Sequence, residues 1–378
     1  MLPTFHLRLR TWTTAFFAAT AVASGILLAV ACSESVAPQV DTGAVLGELT
    51  ANVALPLAKA VGTEAEALRA DVVAFESAPS DDALAKAQGS WRKARAAWRT
   101  NDAVAFGPVE SKRLEPAMDF TPASADAIER AVTEGGADAA AFEALGSNAK
   151  GLHALEYLLF DDGGGRTEAL AKMTDATTGT ARRAYASRVA TVLAAKAAEL
   201  FVAWDASGEN FAGSVASAGG SSAIYPSTKA AVDDFVNQMN VAADRLQNTE
   251  IGYPFGKKTG GTPSPEAEAS RRSDASLADM TATLDGIRRV YLGDAGKRGL
   301  GAIVAGRSQA ADAHMKTALD GAAKAIAAIP APFRTAVTAN VPEVEAAYAA
   351  AKDLKTTVST EVASVLGTTL KFSDNDGD

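Results

Sequence analysis

The sequence predicts an all-α protein of two packed helical bundles, and three observations lead there. Alanine is abundant, and hydrophobic residues make up 48% of the chain while aromatics make up only 6%. The core therefore has to be built mostly from Ala, Leu and Val, a mixture that favours helices. Apolar residues recur at helical spacing along most of the chain, and no alternation of useful length marks a strand. Finally, 378 residues are more than a single helical core fills efficiently, which calls for two lobes.

Residues 1–31 read as a targeting segment. Arg8 and Arg10 supply a positive start, and Thr11 to Val30 is almost wholly uncharged and apolar. Ala29-Val30-Ala31-Cys32 then resembles a lipoprotein cleavage box, with Ala29 where leucine is usual. This makes Cys32 the expected lipidation site and the membrane a partner through a lipid anchor. An ordinary cleaved signal or an uncleaved anchor fits the same apolar run. Cys32 is the sole cysteine, which excludes an internal disulfide and any thiolate cluster for zinc or iron–sulfur.

Residues 32–44 form the expected tether. The N-terminal bundle is expected over 45–205, beginning with helical periodicity from Val45 to Val61 and from Glu64 to Phe75. Asp81 and Asp82 then open a helix through Trp91 and Trp98, with acids in the first turn where the helix dipole favours them. Residues 109–123 read as irregular. A further helix carries His153 to the Asp161–Gly165 turn, and Thr180 to Asp205 forms a long amphipathic one. Residues 206–227, rich in Gly and Ser, read as a linker. The C-terminal bundle is expected over 228–368, in segments 228–248, 275–292, 301–328 and 342–366, with an acidic tail at 369–378.

The formal net charge is −9, and removing the leader takes away Arg8 and Arg10 and no acid, giving −11. Nucleic acid is excluded as a partner on this ground, because phosphate affinity needs clustered Lys and Arg. Gly163-Gly164-Gly165 lacks the Lys-Ser/Thr of a phosphate loop. Asp374 to Asp378 is too short for a calcium loop, and no G-x-S-x-G elbow occurs.

The run Gly151-Leu152-His153-Ala154-Leu155-Glu156 is the most informative. At about 100° per residue, Leu152, Leu155 and Leu159 form an apolar stripe that His153 and Glu156 flank. Three residues apart, an imidazole and a carboxylate can converge on one point at a core–cleft margin. The pair can act as metal ligands, as a catalytic base and its orienting acid, or as a structural ion pair. The zinc-peptidase signatures are absent: Ala154 follows the histidine where HExxH needs glutamate, and Tyr157 stands where HxxEH needs a second histidine. His314 reads as a surface residue.

The wider run Lys150 to Phe160 resembles the GxHxxE signature of the imelysin-like family. Trp91 to Trp98 with Phe106-Gly107-Pro108 is similar to that family's WxxxRxxW helix and FG turn. Ser273 to Asp279, followed by Gly286 to Tyr291, resembles its SxxSLxD segment and the G-x-x-x-x-Y after it. Three departures stand out: Thr283 where asparagine is common, Glu268 one place from the usual glutamate, and no tryptophan in 109–122.

The resemblance implies two helical bundles with a cleft between them, export to the cell envelope and association with iron acquisition. Ser33 after Cys32 resembles an outer-membrane sorting signal, so the expectation is a periplasm-facing, outer-membrane lipoprotein that works with envelope iron-uptake components. His153 and Glu156 are then the expected metal ligands, with iron foremost and zinc or copper as alternatives, or they hold a metal-bearing small ligand. Gly151, Arg95, Trp98, Glu110, Ser273 and Asp279 are the expected lining, and Glu115 and Asp119 further oxygen donors. If the protein is an enzyme, Glu156 and His153 are the catalytic pair of a metallopeptidase. A structural or adhesive envelope lipoprotein is the remaining alternative.

Overall fold

The computed structural model describes residues 40–160 and 165–371. The expected signal peptide, Cys32, most of the tether, the turn residues 161–164 and the acidic tail beyond Lys371 lie outside the described residues.

Helix α1 spans Thr42–Ser77. It is capped by Asp41, whose carboxylate accepts the Ala44 N–H at 3.0 Å, and so starts three residues before the expected boundary. It runs unbroken where periodicity implied two pieces, passing through a π-helical segment at Thr50–Ala54. Its N-terminal part packs against elements of the second half and its longer C-terminal part against the first. One helix thereby belongs to both bundles.

Helix α2 (Asp81–Asn101) is capped by Ser80, carries its two acids in the first turn and buries Trp91 and Trp98. Helices α3 (Gly151–Leu159) and α4 (Gly179–Trp204) complete the first bundle. The second is built from α5 (Thr228–Asp244), α6 (Ser276–Leu292), α7 (Gln309–Ala328) and α8 (Pro342–Thr356). Both α5 and α8 continue as π-helical segments, Arg245–Gly252 and Thr357–Val362. Such segments interrupt the regular hydrogen-bond ladder and occur frequently at functional sites. No strand occurs among the described residues.

The bundles meet where α2 crosses α6. Gly286 permits this crossing, since a Cβ there would strike the Thr100 carbonyl. Beside it, Phe106 packs edge-on against Trp204 of α4 and Phe235 of α5, with ring centroids at 5.9 and 4.9 Å. Apolar burial is thus continuous across the junction.

Residues 206–227, read from composition as a linker, are folded onto this junction. A short helix, Phe211–Ala216, places Phe211 edge-on to Trp204 at 4.9 Å. The described residues all fall within one compact unit. The first residues of the expected tail are also held, Lys371 donating its backbone N–H to Asn237 at 2.7 Å.

Candidate functional site

Helix α3 is short, and Gly151 sets its position. This residue has φ +76°, and a Cβ on it would lie 2.5 Å from the Met118 carbonyl. Only glycine lets the chain at 118–119 lie against the start of α3 without strain. Asp119 is thereby brought beside His153. Trp91 supports the helix from the other side, donating its indole N–H to Leu152 O at 2.8 Å. His153 is 3% exposed and Glu156 0%. The pair therefore stands inside the protein, deeper than the core margin expected from the apolar stripe.

Glu156 is bound on one oxygen. Its Oε1 accepts the backbone N–H groups of Arg272 and Ser273 at 3.1 and 2.9 Å and the Ser273 hydroxyl at 2.8 Å. Its Oε2 faces His153 Nδ1 at 3.7 Å, beyond hydrogen-bond length. Burial alone would raise this carboxyl, but His153 and the Ser273 donors hold it below its ordinary value.

Asp119 is the hub on the other side of the imidazole. Arg95 pairs with its Oδ1, Trp98 donates to its Oδ2 at 3.0 Å, and Arg99 approaches Oδ2 at 3.2 Å. His153 Nε2 stands 3.0 Å from Oδ1, but off the line of a hydrogen bond, so this ring nitrogen has no hydrogen-bonded partner. Burial disfavours the Asp119 charge, and Arg95 and Arg99 outweigh it, holding the carboxyl well below the usual range. For His153, burial and Arg95 push the imidazole down; Asp119 and Glu156 prevail and raise it.

Two further links complete the cluster. Arg95 reaches Asp279 of α6 at 2.9 Å, and Ser270 donates to the same carboxylate oxygen at 2.5 Å. Arg99 pairs with Asp102 at 2.7 Å and stands 3.7 Å from Glu250. Thr283, where asparagine was expected, donates to Glu250 Oε1 at 2.9 Å. Burial pushes Glu250 up to about 7 against the pull of Arg99. Buried ion pairs of this kind stabilise only while each charge keeps its partners.

The cluster opens onto a cavity of about 400 Å³, lined in part by Asp119, His153, Arg245 and Glu250. Of the expected lining, Arg95 borders the cavity, while Trp98, Ser273 and Asp279 are buried behind it in bonds to Asp119, Glu156 and Arg95, and Gly151 packs on the Met118 backbone. Glu110 does not: it is exposed and lines a neighbouring cavity with Phe106 and Arg113. Glu115 reaches the rim, paired with Arg245. Trp91 and Trp98 are core residues, each with its indole N–H satisfied, and His314 is exposed and pairs with Glu361 at 2.7 Å.

Sequence reasoning missed Arg99, Asp102, Arg245 and Glu250. A signal existed for two of them, because Arg95, Arg99 and Asp102 repeat at i, i+4 and i+7 and so mark one face of α2 and the turn after it. Among the described residues no group of three His, Cys, Asp or Glu side chains is disposed to hold a metal ion.

Two helical bundles joined over a buried arginine–carboxylate–histidine cluster define the class of protein. The family profile for imelysin (Peptidase_M75) matches residues 54–360. The chain therefore belongs to the imelysin family. It is 26% identical over 243 residues to iron-regulated protein A of Synechococcus elongatus, an alignment covering 64% of this chain and 62% of that relative's length.

The fold is shared with two crystal structures. One, from Parabacteroides distasonis and named for an iron-regulated protein A precursor, is 24% identical with a TM-score of 0.74, covering 86% of this chain and 95% of that one. The other is an imelysin-like protein from Psychrobacter arcticum, 15% identical with a TM-score of 0.67, covering 88% and 97%.

Proposed function

We propose that this protein is an envelope-tethered component of iron handling that holds a metal-bearing small ligand in the cleft beside His153. Iron is the first candidate cargo, with zinc and copper next. The observation that carries this reading is His153: a buried imidazole that lines the cavity, its Nε2 held by an ion pair with Asp119 at 3.0 Å, and able to bind an incoming metal when neutral. The name of the Synechococcus relative, iron-regulated protein A, supports the link to iron.

A ligand that brings its own donors fits better than a bare ion. Asp119 is already held by Arg95, Trp98 and Arg99, and Glu156 Oε1 by the 272–273 backbone. A bare cation would have to displace guanidinium groups to recruit Asp119. The metallopeptidase alternative asks Glu156 to take a proton from water. A carboxylate whose basicity is lowered and one of whose oxygens already accepts from Ser273 and Arg272 is poorly suited to that task.

Tethering through Cys32 would keep the cleft at the membrane surface, facing the periplasm from the outer membrane and within reach of uptake components. The test is metal retention after desalting, with Fe(III), Fe(II), Zn(II) and Cu(II) each presented as a soluble chelate. Near-stoichiometric iron in the wild type and little in a folded His153→Ala variant is the expected result. Equal retention by the two proteins overturns the reading.

A further inference from the structure

The chain is acidic overall, at −9, yet the cavity beside His153 is not. Its lining carries Arg95, Arg99, Arg245, Lys355 and Lys371 against Glu115, Asp119, Asp244 and Glu250. Arg95 and Arg99 are committed to buried carboxylates. The other three stand at the mouth, with side chains 24%, 32% and 72% exposed. Lys355 leans on Asp244 at 2.7 Å and Lys371 on Asp234 at 2.9 Å, while Arg245 pairs closely with Glu115 and stands 4.0 Å from both Asp102 and Asp119. A guanidinium or ammonium held by one carboxylate keeps N–H donors for a second acceptor. The mouth is suited to an anion.

The cavity wall offers the opposite chemistry. Glu250 Oε2 and Asn240 Oδ1 lie beneath the surface with no hydrogen-bond partner among the described residues. Leaving buried acceptors unmatched is unfavourable, so a ligand that brings a donor is favoured. An ammonium would supply donors but would sit close to Arg95 and Arg99. An uncharged hydroxyl supplies one without that repulsion. At about 400 Å³ the cavity has the size of a small-molecule site.

We infer that the cleft recognises a small hydroxycarboxylate, its carboxylates on Arg245, Lys355 and Lys371 and its hydroxyl directed to Glu250 and Asn240. This rests on the reading of the cleft as a ligand site and names the ligand's class. Hydroxyl and carboxylate oxygens together form a chelating set, which joins this class to a metal-bearing cargo.

The experiment is calorimetry on the full-length protein stripped of metal, with citrate, tricarballylate (citrate without its hydroxyl) and inorganic phosphate as probes. Wild type should bind one citrate, about tenfold tighter than tricarballylate, the worth of one good hydrogen bond, with phosphate weaker than both. In Glu250→Met, where Arg99 keeps Asp102 and Asp119, the two tricarboxylates should bind alike. Lys355→Gln with Lys371→Gln should weaken both while keeping their ratio.

Equal wild-type affinities for citrate and tricarballylate, tighter phosphate binding, no binding at all, or an undiminished preference in Glu250→Met would each overturn the inference. Retention of metal that depends on His153, without a hydroxyl preference, sinks this inference alone. A hydroxyl preference without His153-dependent metal sinks only the metal-bearing reading.

Discussion

Glu156 and His153 share one turn of α3 and face two different surroundings. On the Glu156 side a loop of the second bundle presents two backbone N–H groups and a hydroxyl, all to a single oxygen. On the His153 side the neighbour is a carboxylate already shared among Arg95, Arg99 and Trp98, which the imidazole meets through Nε2 at 3.0 Å. A two-residue motif thus divides its contacts. Glu156 ties the bundles together, and His153 lines the cavity in which the proposed ligand would sit.

The largest effect should come from Asp119, on which the His153 side depends. Asp119→Ala leaves Arg95 and Arg99 short of a buried partner, and urea unfolding should record a loss of about 3–5 kcal/mol. A loss below about 1 kcal/mol, the scale of a surface pair, would mean the hub is not the keystone of the cluster. Gly151→Ala comes next: forcing a side chain to φ +76° against the 118–119 backbone should cost about 1–3 kcal/mol and weaken ligand capture, since Asp119 moves with it. Glu156→Gln preserves an acceptor for the three donors and loses their charge assistance, for about 1–2 kcal/mol. Its ligand affinity should be unchanged, which sharpens the division between the two residues.

The smallest effect is in the pH profile. Glu156 is held below 4.5, so its contribution is present above that value and is lost as the pH falls through its folded pKa. His153 is held above 6.5 and Glu250 is raised to about 7. Contributions of that sign are complete below the unfolded pKa and vanish as the pH rises through the folded one. Stability should therefore be greatest near the ordinary carboxylate value of 4.5, fall between there and about 7 as the Glu250 contribution is lost, and fall further above 6.5 as that of His153 is lost. Glu250→Met should flatten the decline between 4.5 and about 7, and a profile identical to wild type would remove Glu250 from the account.

Much of this was legible in the sequence because it is local. The Trp helix, the GxHxxE run and the Ser273–Asp279 segment each lie on or beside one element; periodicity and first-turn acids mark the first, and resemblance to the imelysin-like family marks the other two. The rest depends on elements that look irregular from composition. Asp119 follows a broken stretch whose position is fixed by Gly151, thirty-two residues later. Arg245 and Glu250 sit in a π-helical segment, where the 3.6-residue period no longer reports which face is buried. Residues 206–227 misled for a similar reason: Gly and Ser dominate by number, but Phe211, Val215 and Tyr225 are the buried residues that decide its packing.

The division of labour on α3 can be read at the imidazole itself. With ¹⁵N-labelled histidine only three residues contribute, His6, His153 and His314, and His153→Gln assigns the third. Zn(II), diamagnetic and within the proposed cargo, would be added as a soluble chelate while both ring nitrogens of His153 are followed. The account predicts a large shift at Nε2, with Nδ1, facing Glu156 at 3.7 Å, changing little, and the same response in Glu156→Gln. Silence at both nitrogens, or a response confined to Nδ1, would contradict it.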